Sequence, residues 1–205
     1  VFKMSDFTYE TENRMNKYET YEWDDMWIDH ANETDRKRAA YIGDSISVGT
    51  RRIATARTNE EILFDGFGTS KALDNPYFKD SIRLFLNQVP NIDTVLFNNG
   101  LHGWHLDDET EYKALYDEMI KFILDEIKDA KLYILLTTAV IDKDDNDRVK
   151  LRNVAAREVA EKYSIPVIDL YDITSTNLNE ISPDGIHPTE PLYEKIADEI
   201  IRNIR

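Results

Sequence analysis

Two short runs hold the residues best suited to covalent chemistry. Ser45 lies in "AAYIGDSISVGT" (39–50), where an apolar stretch gives way to glycine and then to polar residues. Asp184 and His187 lie three apart in "PDGIHPTEPLYEKIADEI" (183–200), just before a helix-like pattern. A serine hydroxyl attacks a carbonyl at neutral pH only when a base takes its proton. His187 could do that through one ring nitrogen. Asp184 could accept a hydrogen bond from the other, fixing the tautomer and stabilising the imidazolium. Serine, aspartate and histidine in this order are the set that nucleophilic acyl transfer requires. Each residue alone also has a plain structural reading: a turn serine, the aspartate of an "SPDG" turn, a helix-entry histidine.

The elements that must position them follow from periodicity. Short apolar runs at 39–42, 62–64, 94–97, 132–136 and 166–170 read as strands. They lack strict alternation, as expected for strands covered on both faces. Helical stripes lie between and after them: Tyr112, Leu115, Met119, Ile123 and Ile127; Leu151, Ala155, Val159 and Tyr163; Leu192, Ile196, Ile200 and Ile204. Thr189 and Pro191 mark the start of the last helix. Alternation of strand and helix predicts an α/β fold, a three-layer α/β/α sandwich around a five-stranded parallel sheet. In such sheets ligands bind at the carboxyl ends of the strands. Asp44 and Ser45, Gly66 and Gly68, "NNGLHGWH" (98–105), Thr137 and Thr138, and Asp184 and His187 all fall there.

Composition sets the outer bounds. The 205 residues suffice for one domain with a sizeable core. A formal net charge of -15 argues against nucleic-acid phosphates or an anionic membrane surface as partners. The absence of cysteine removes disulfides and thiolate chemistry. A polar N-terminus and no cysteine point to the cytoplasm, with secretion left open because the chain opens on Val1. The run at 142–147, "DKDDND", lacks the glycine and distal glutamate of a calcium loop and reads as a solvated lead into a helix. Residues 1–38 are acidic and aromatic-rich and read as an N-terminal arm on a domain spanning 39–205. Trp23 and Trp27, one helical turn apart, either cap the core or reach a substrate cleft.

"GDSIS" followed late by "DGIHP" resembles the SGNH, or GDSL-type, hydrolase family across residues 39–205. The resemblance implies a flavodoxin-like sheet, a serine esterase mechanism and no metal or other cofactor. It implies Ser45, Asp184 and His187 as catalytic residues. It also implies an oxyanion hole from the Ser45 backbone N–H and a glycine, Gly68 by its setting in "FDGFGTS" or else Gly66. The family's third donor is an asparagine in a GxND pattern. Here "DTVLFNNGLHG" (93–103) puts His102 in its place. Either His102 donates, as a neutral ring with its proton on the facing nitrogen, or Asn98 or Asn99 reaches the site. Asp44, Asn99 and Trp104 are the candidate substrate contacts, Trp104 as a sugar platform, an acyl-pocket wall or buried packing. Compact members often deacetylate carbohydrates, so the expected partner is a small-molecule or saccharide ester. Homo-oligomerisation is left open.

Overall fold

The computed structural model describes residues 16–205. The first part of the arm, residues 1–15, lies outside them. Six strands form one sheet in the order β1-β3-β2-β4-β5-β6. β2 (Lys37–Gly43), β3 (Ile62–Thr69), β4 (Thr94–Phe97), β5 (Lys131–Leu135) and β6 (Val167–Ile168) are parallel, as the alternating pattern requires. The sheet has one strand more than the sequence reading expects. β1 (Asp24–Trp27) comes from the arm and pairs antiparallel with β3, Asp25 opposite Gly68. Trp23 and Trp27 therefore flank or end an edge strand and do not share a helix face.

Alternate residues of each strand feed two cores. Ala40, Ile42, Val95, Phe97 and Ile134 face α2 (Phe78–Leu86), α3 (Glu109–Glu126) and α4 (Lys143–Tyr163). Ala39, Tyr41, Phe64, Leu96 and Tyr133 face α1 (Ser45–Arg57) and α6 (Glu190–Ile204). The short α5 (Leu170–Ser175) and a 3-10 turn at Leu178–Glu180 lie between β6 and α6. The stripe of α6 is buried as its period demands, from Leu192 to Ile204. Thr189 precedes α6, but its hydroxyl donates to the Glu180 carbonyl and not to a helix N–H. The stripe of α4 is displaced: Leu151 is exposed, and Arg152 takes the inward position beside Ala155 and Val159. Asp142 caps α4 by accepting from the Asp144 and Asp145 N–H groups, which accounts for the first acid of the 142–147 run.

From β2 the chain steps to β3 on one side and then to β4 on the other. A crevice opens where the order reverses, at the carboxyl end of β2. Ser45 stands there.

A buried ion pair secures the arm to this frame. Arg38 and Asp65 are both fully buried and lie 2.9 Å apart. The Arg38 guanidinium also donates to the carbonyls of Asp29, His30 and Glu33, and Asp65 accepts from the Asp29 N–H. The pair is surrounded by partners, so removing one member strands the other. Asp65→Ala is expected to cost about 3–5 kcal/mol, read as a lowered urea midpoint. A loss under about 1 kcal/mol would show that water reaches Arg38.

Candidate active site

Ser45 is the first residue of α1, directly after the N-cap Asp44. Its hydroxyl lies at the positive end of a 13-residue helix, where backbone N–H groups lack intrahelical partners. Asp44 is buried, and one carboxylate oxygen accepts from the Ile46 N–H at 2.9 Å. Burial pushes its carboxyl above the ordinary range, opposed by the His102 and His187 imidazoles and the Ile46 N–H. Asp44 thus caps the helix that begins with Ser45. It is not an open substrate contact.

The 182–189 loop delivers the other two residues. The Gly185 N–H bonds the Ser182 carbonyl, and Gly185 takes φ +80°, a conformation that favours glycine. Its carbonyl accepts from the Ile141 N–H at 2.8 Å, docking the loop beyond β5. One Asp184 oxygen accepts from the backbone N–H groups of Ile186 and His187. Its other oxygen lies 2.9 Å from His187 Nδ1. His187 Nε2 lies 2.8 Å from Ser45 Oγ. Carboxylate, imidazole and hydroxyl therefore form one hydrogen-bonded chain.

Burial pushes the Asp184 carboxyl up, but the N–H bonds from Ile186 and His187, the His187 ring and Ser182 outweigh it and hold it down to about 2. At neutral pH Asp184 can only accept, so the Nδ1 proton belongs to His187 and Nε2 faces the serine.

The third-strand loop is held from below. Arg152 of α4 is buried and donates to the carbonyls of Gly100, His102, Gly103 and Leu106 at 2.7–3.2 Å. Its side chain lies against the Tyr112 and Trp104 rings. Burial pulls its pKa down to about 10, which leaves it charged at neutral pH. Trp104, also beneath Arg148, is 7% exposed. This rules out an open sugar platform there and makes Trp104 packing. Asn98 gives its amide hydrogens to the Leu135 carbonyl and Thr137 Oγ1. Asn99, buried, donates to the Lys71 carbonyl, and its backbone carbonyl accepts from Tyr112. Both asparagines tie the loop to its neighbours, leaving His102 as the side chain aimed elsewhere.

Gly68 lies at the end of β3, within the strand and not after it. A Cβ there would stand 2.4 Å from Val48 and 3.1 Å from the Asp44 carbonyl, against the same turn as Ser45. Gly66 packs instead against the Arg51 side chain, away from Ser45. Trp23 lies beside Gly68 and edge-on to His102, ring centroids 6.1 Å apart. His102 is 2% exposed, and its Nδ1 is 3.2 Å from Glu19. The carboxylate fixes the Nδ1 proton, so a neutral His102 would present an acceptor at Nε2, contrary to the neutral donor expected from the sequence. The arm thus reaches the site through Glu19 and Trp23. Nothing in the local sequence marks Glu19, and Arg152 is hidden one position from the expected stripe.

No protein-family model and no curated protein matches the sequence. Solved structures do. A putative GDSL-like lipase from Parabacteroides merdae aligns with TM-score 0.65 and 13% identity, over 84% of this chain and 100% of the other. An acetyl xylan esterase, AlAXEase, aligns with TM-score 0.63 and 17% identity, over 82% and 100%. The acetylxylan esterase Axe2 from Geobacillus stearothermophilus aligns with TM-score 0.61 and 12% identity, over 84% and 96%.

The depressed Asp184 carboxyl has a pH consequence. A carboxyl held lower in the folded state contributes stability above its unfolded value, about 3.9. That contribution is lost as pH falls from there through about 2. The melting-temperature gap between the wild type and Asp184→Asn should stay level from pH 8 to 5 and close below about pH 4. A gap unchanged down to pH 2 would contradict the hydrogen-bond pattern. The likeness to these structures over more than four fifths of the chain shows the architecture: the chain has the SGNH-hydrolase fold.

Proposed function

We propose that this protein is a serine hydrolase of carboxylic esters, with Ser45, His187 and Asp184 as its catalytic triad. The observation that carries the reading is the chain Asp184–His187–Ser45, with distances of 2.9 and 2.8 Å. Those distances suit proton transfer from the hydroxyl as it attacks. Ser45 Oγ adds to the ester carbonyl while its proton passes to His187 Nε2. The tetrahedral intermediate places negative charge on the former carbonyl oxygen. The Ser45 N–H at the start of α1, the Gly68 N–H and His102 are the donors assigned to that oxygen; one such donor is typically worth about 3–4 kcal/mol. His187 then protonates the leaving alcohol. A water that gives its proton to His187 next releases the acid from the acyl-Ser45 enzyme.

The acyl group proposed is acetyl, and the alcohol a saccharide. Trp104, Asn99 and His102 are buried at the third-strand loop, so these side chains offer no exposed apolar wall to a long chain. Three of the similar structures, two of them of Axe2, are acetyl xylan esterases, which supports the same choice. Others are GDSL-like lipases, so a longer acyl group is the competing reading.

p-Nitrophenyl esters of increasing chain length decide between them. The wild type should hydrolyse the acetyl ester with higher kcat/KM than the octanoyl ester. Ser45→Ala should lower acetyl-ester turnover at least about 10³-fold. Higher kcat/KM on octanoyl would reject the acetyl reading. Equal rates for the wild type and Ser45→Ala would reject the triad and favour a binding protein on the same fold.

A further inference from the structure

The His102 ring lies in a pocket built from three parts of the chain. Glu19 of the arm meets its Nδ1 at 3.2 Å, with side-chain exposures of 2% for His102 and 7% for Glu19. Asp44, from the turn that carries Ser45, is buried, and the His102 and His187 imidazoles both oppose the rise that burial gives its carboxyl. Trp23 covers one edge of the ring. Arg152 lies under the loop, but its guanidinium is bonded to backbone carbonyls, including that of His102 itself. Among the described residues, the carboxylate in contact with the ring is that of Glu19.

Protonation follows from this geometry. Glu19 accepts from Nδ1, so the first proton on the ring sits at Nδ1. A neutral His102 then has no hydrogen on Nε2 and cannot donate from it. Only the imidazolium can bond Glu19 on one side and give an N–H on the other. The buried Glu19 carboxylate favours that form, since an opposite charge within a few ångströms stabilises the ionised partner.

We propose that His102 works as a cationic oxyanion donor, held protonated by Glu19 from the N-terminal arm. Resting on the esterase reading above, this makes Glu19 a positioning residue and the arm a working part of the site. A charge-assisted N–H bond to a developing oxyanion is roughly twice as strong as a neutral one. The cost is an upper pH limit, because activity falls once His102 loses its Nε2 proton.

The test separates charge from structure. The imidazoles of 15N-histidine-labelled protein are titrated by NMR in the wild type and in Glu19→Gln, with His102 assigned by its loss in His102→Asn. His102 should be imidazolium at pH 7.5 in the wild type, and Glu19→Gln should lower its titration midpoint by about 1–2 pH units. The alkaline limb of kcat/KM for p-nitrophenyl acetate should move down by the same amount. His102→Asn, which supplies a neutral amide donor, should abolish that limb and make Glu19→Gln silent in the double variant. A His102 that is neutral at pH 7.5, or a midpoint unmoved by Glu19→Gln, overturns the proposal whatever the activity. An enzyme inactive on every ester would overturn the esterase reading and leave the titration to judge the Glu19–His102 pair.

Discussion

The hydrogen bond from Ser45 to His187 joins residues 142 apart in sequence. It exists only if two loops at opposite ends of the domain arrive at one edge of the sheet. The parallel register enforces that arrival. β2 lies between β3 and β4, so the turn after β2 opens into the crevice where the strand order reverses. β6 and the segment after it then bring the 182–189 loop to the same edge. Anything that shifts α1 against the sheet, or the 182–189 loop against β5, breaks the contact.

Two buried arginines hold what the sheet alone leaves loose. Arg38 gathers the carbonyls of Asp29, His30 and Glu33 and pairs with Asp65 inside the sheet. Arg152 gathers four carbonyls of the third-strand loop. A planar guanidinium can serve several acceptors at once, which a lysine ammonium does less well. Each cation fixes a segment that has little regular structure of its own. One positions the start of the sheet and the arm, and the other the loop that carries His102. Arm and loop then meet at Glu19 and His102.

Much of this was legible in the chain, and the limits have physical causes. The five parallel strands announce themselves because both faces are covered, so each reads as an apolar run. The Ser45 and His187 runs are visible because turn chemistry and helix entry are local. β1 was not legible as a strand: "DDMW" is short and acid-rich, and the four-residue spacing of Trp23 and Trp27 suits a helix equally well. α1 escaped because "SISVGTRRIATAR" is polar yet substantially buried, with Ser47, Thr50, Arg51 and Thr55 among its buried residues. Arg152 displaced Leu151 from the inner face of α4 because its acceptors lie about fifty residues upstream, in a loop no local pattern connects to it. Glu19 is invisible for the same reason: its partner is 83 residues away.

The central claim is that Ser45 is a nucleophile made reactive by His187. Covalent trapping tests it most directly. The protein is treated with a fluorophosphonate, which phosphonylates activated serines, and the labelled peptide is identified by mass spectrometry. One adduct per chain is expected, on Ser45, with labelling much slower in His187→Ala. An unlabelled wild-type protein, an adduct on another residue, or equal labelling without His187 would contradict the account.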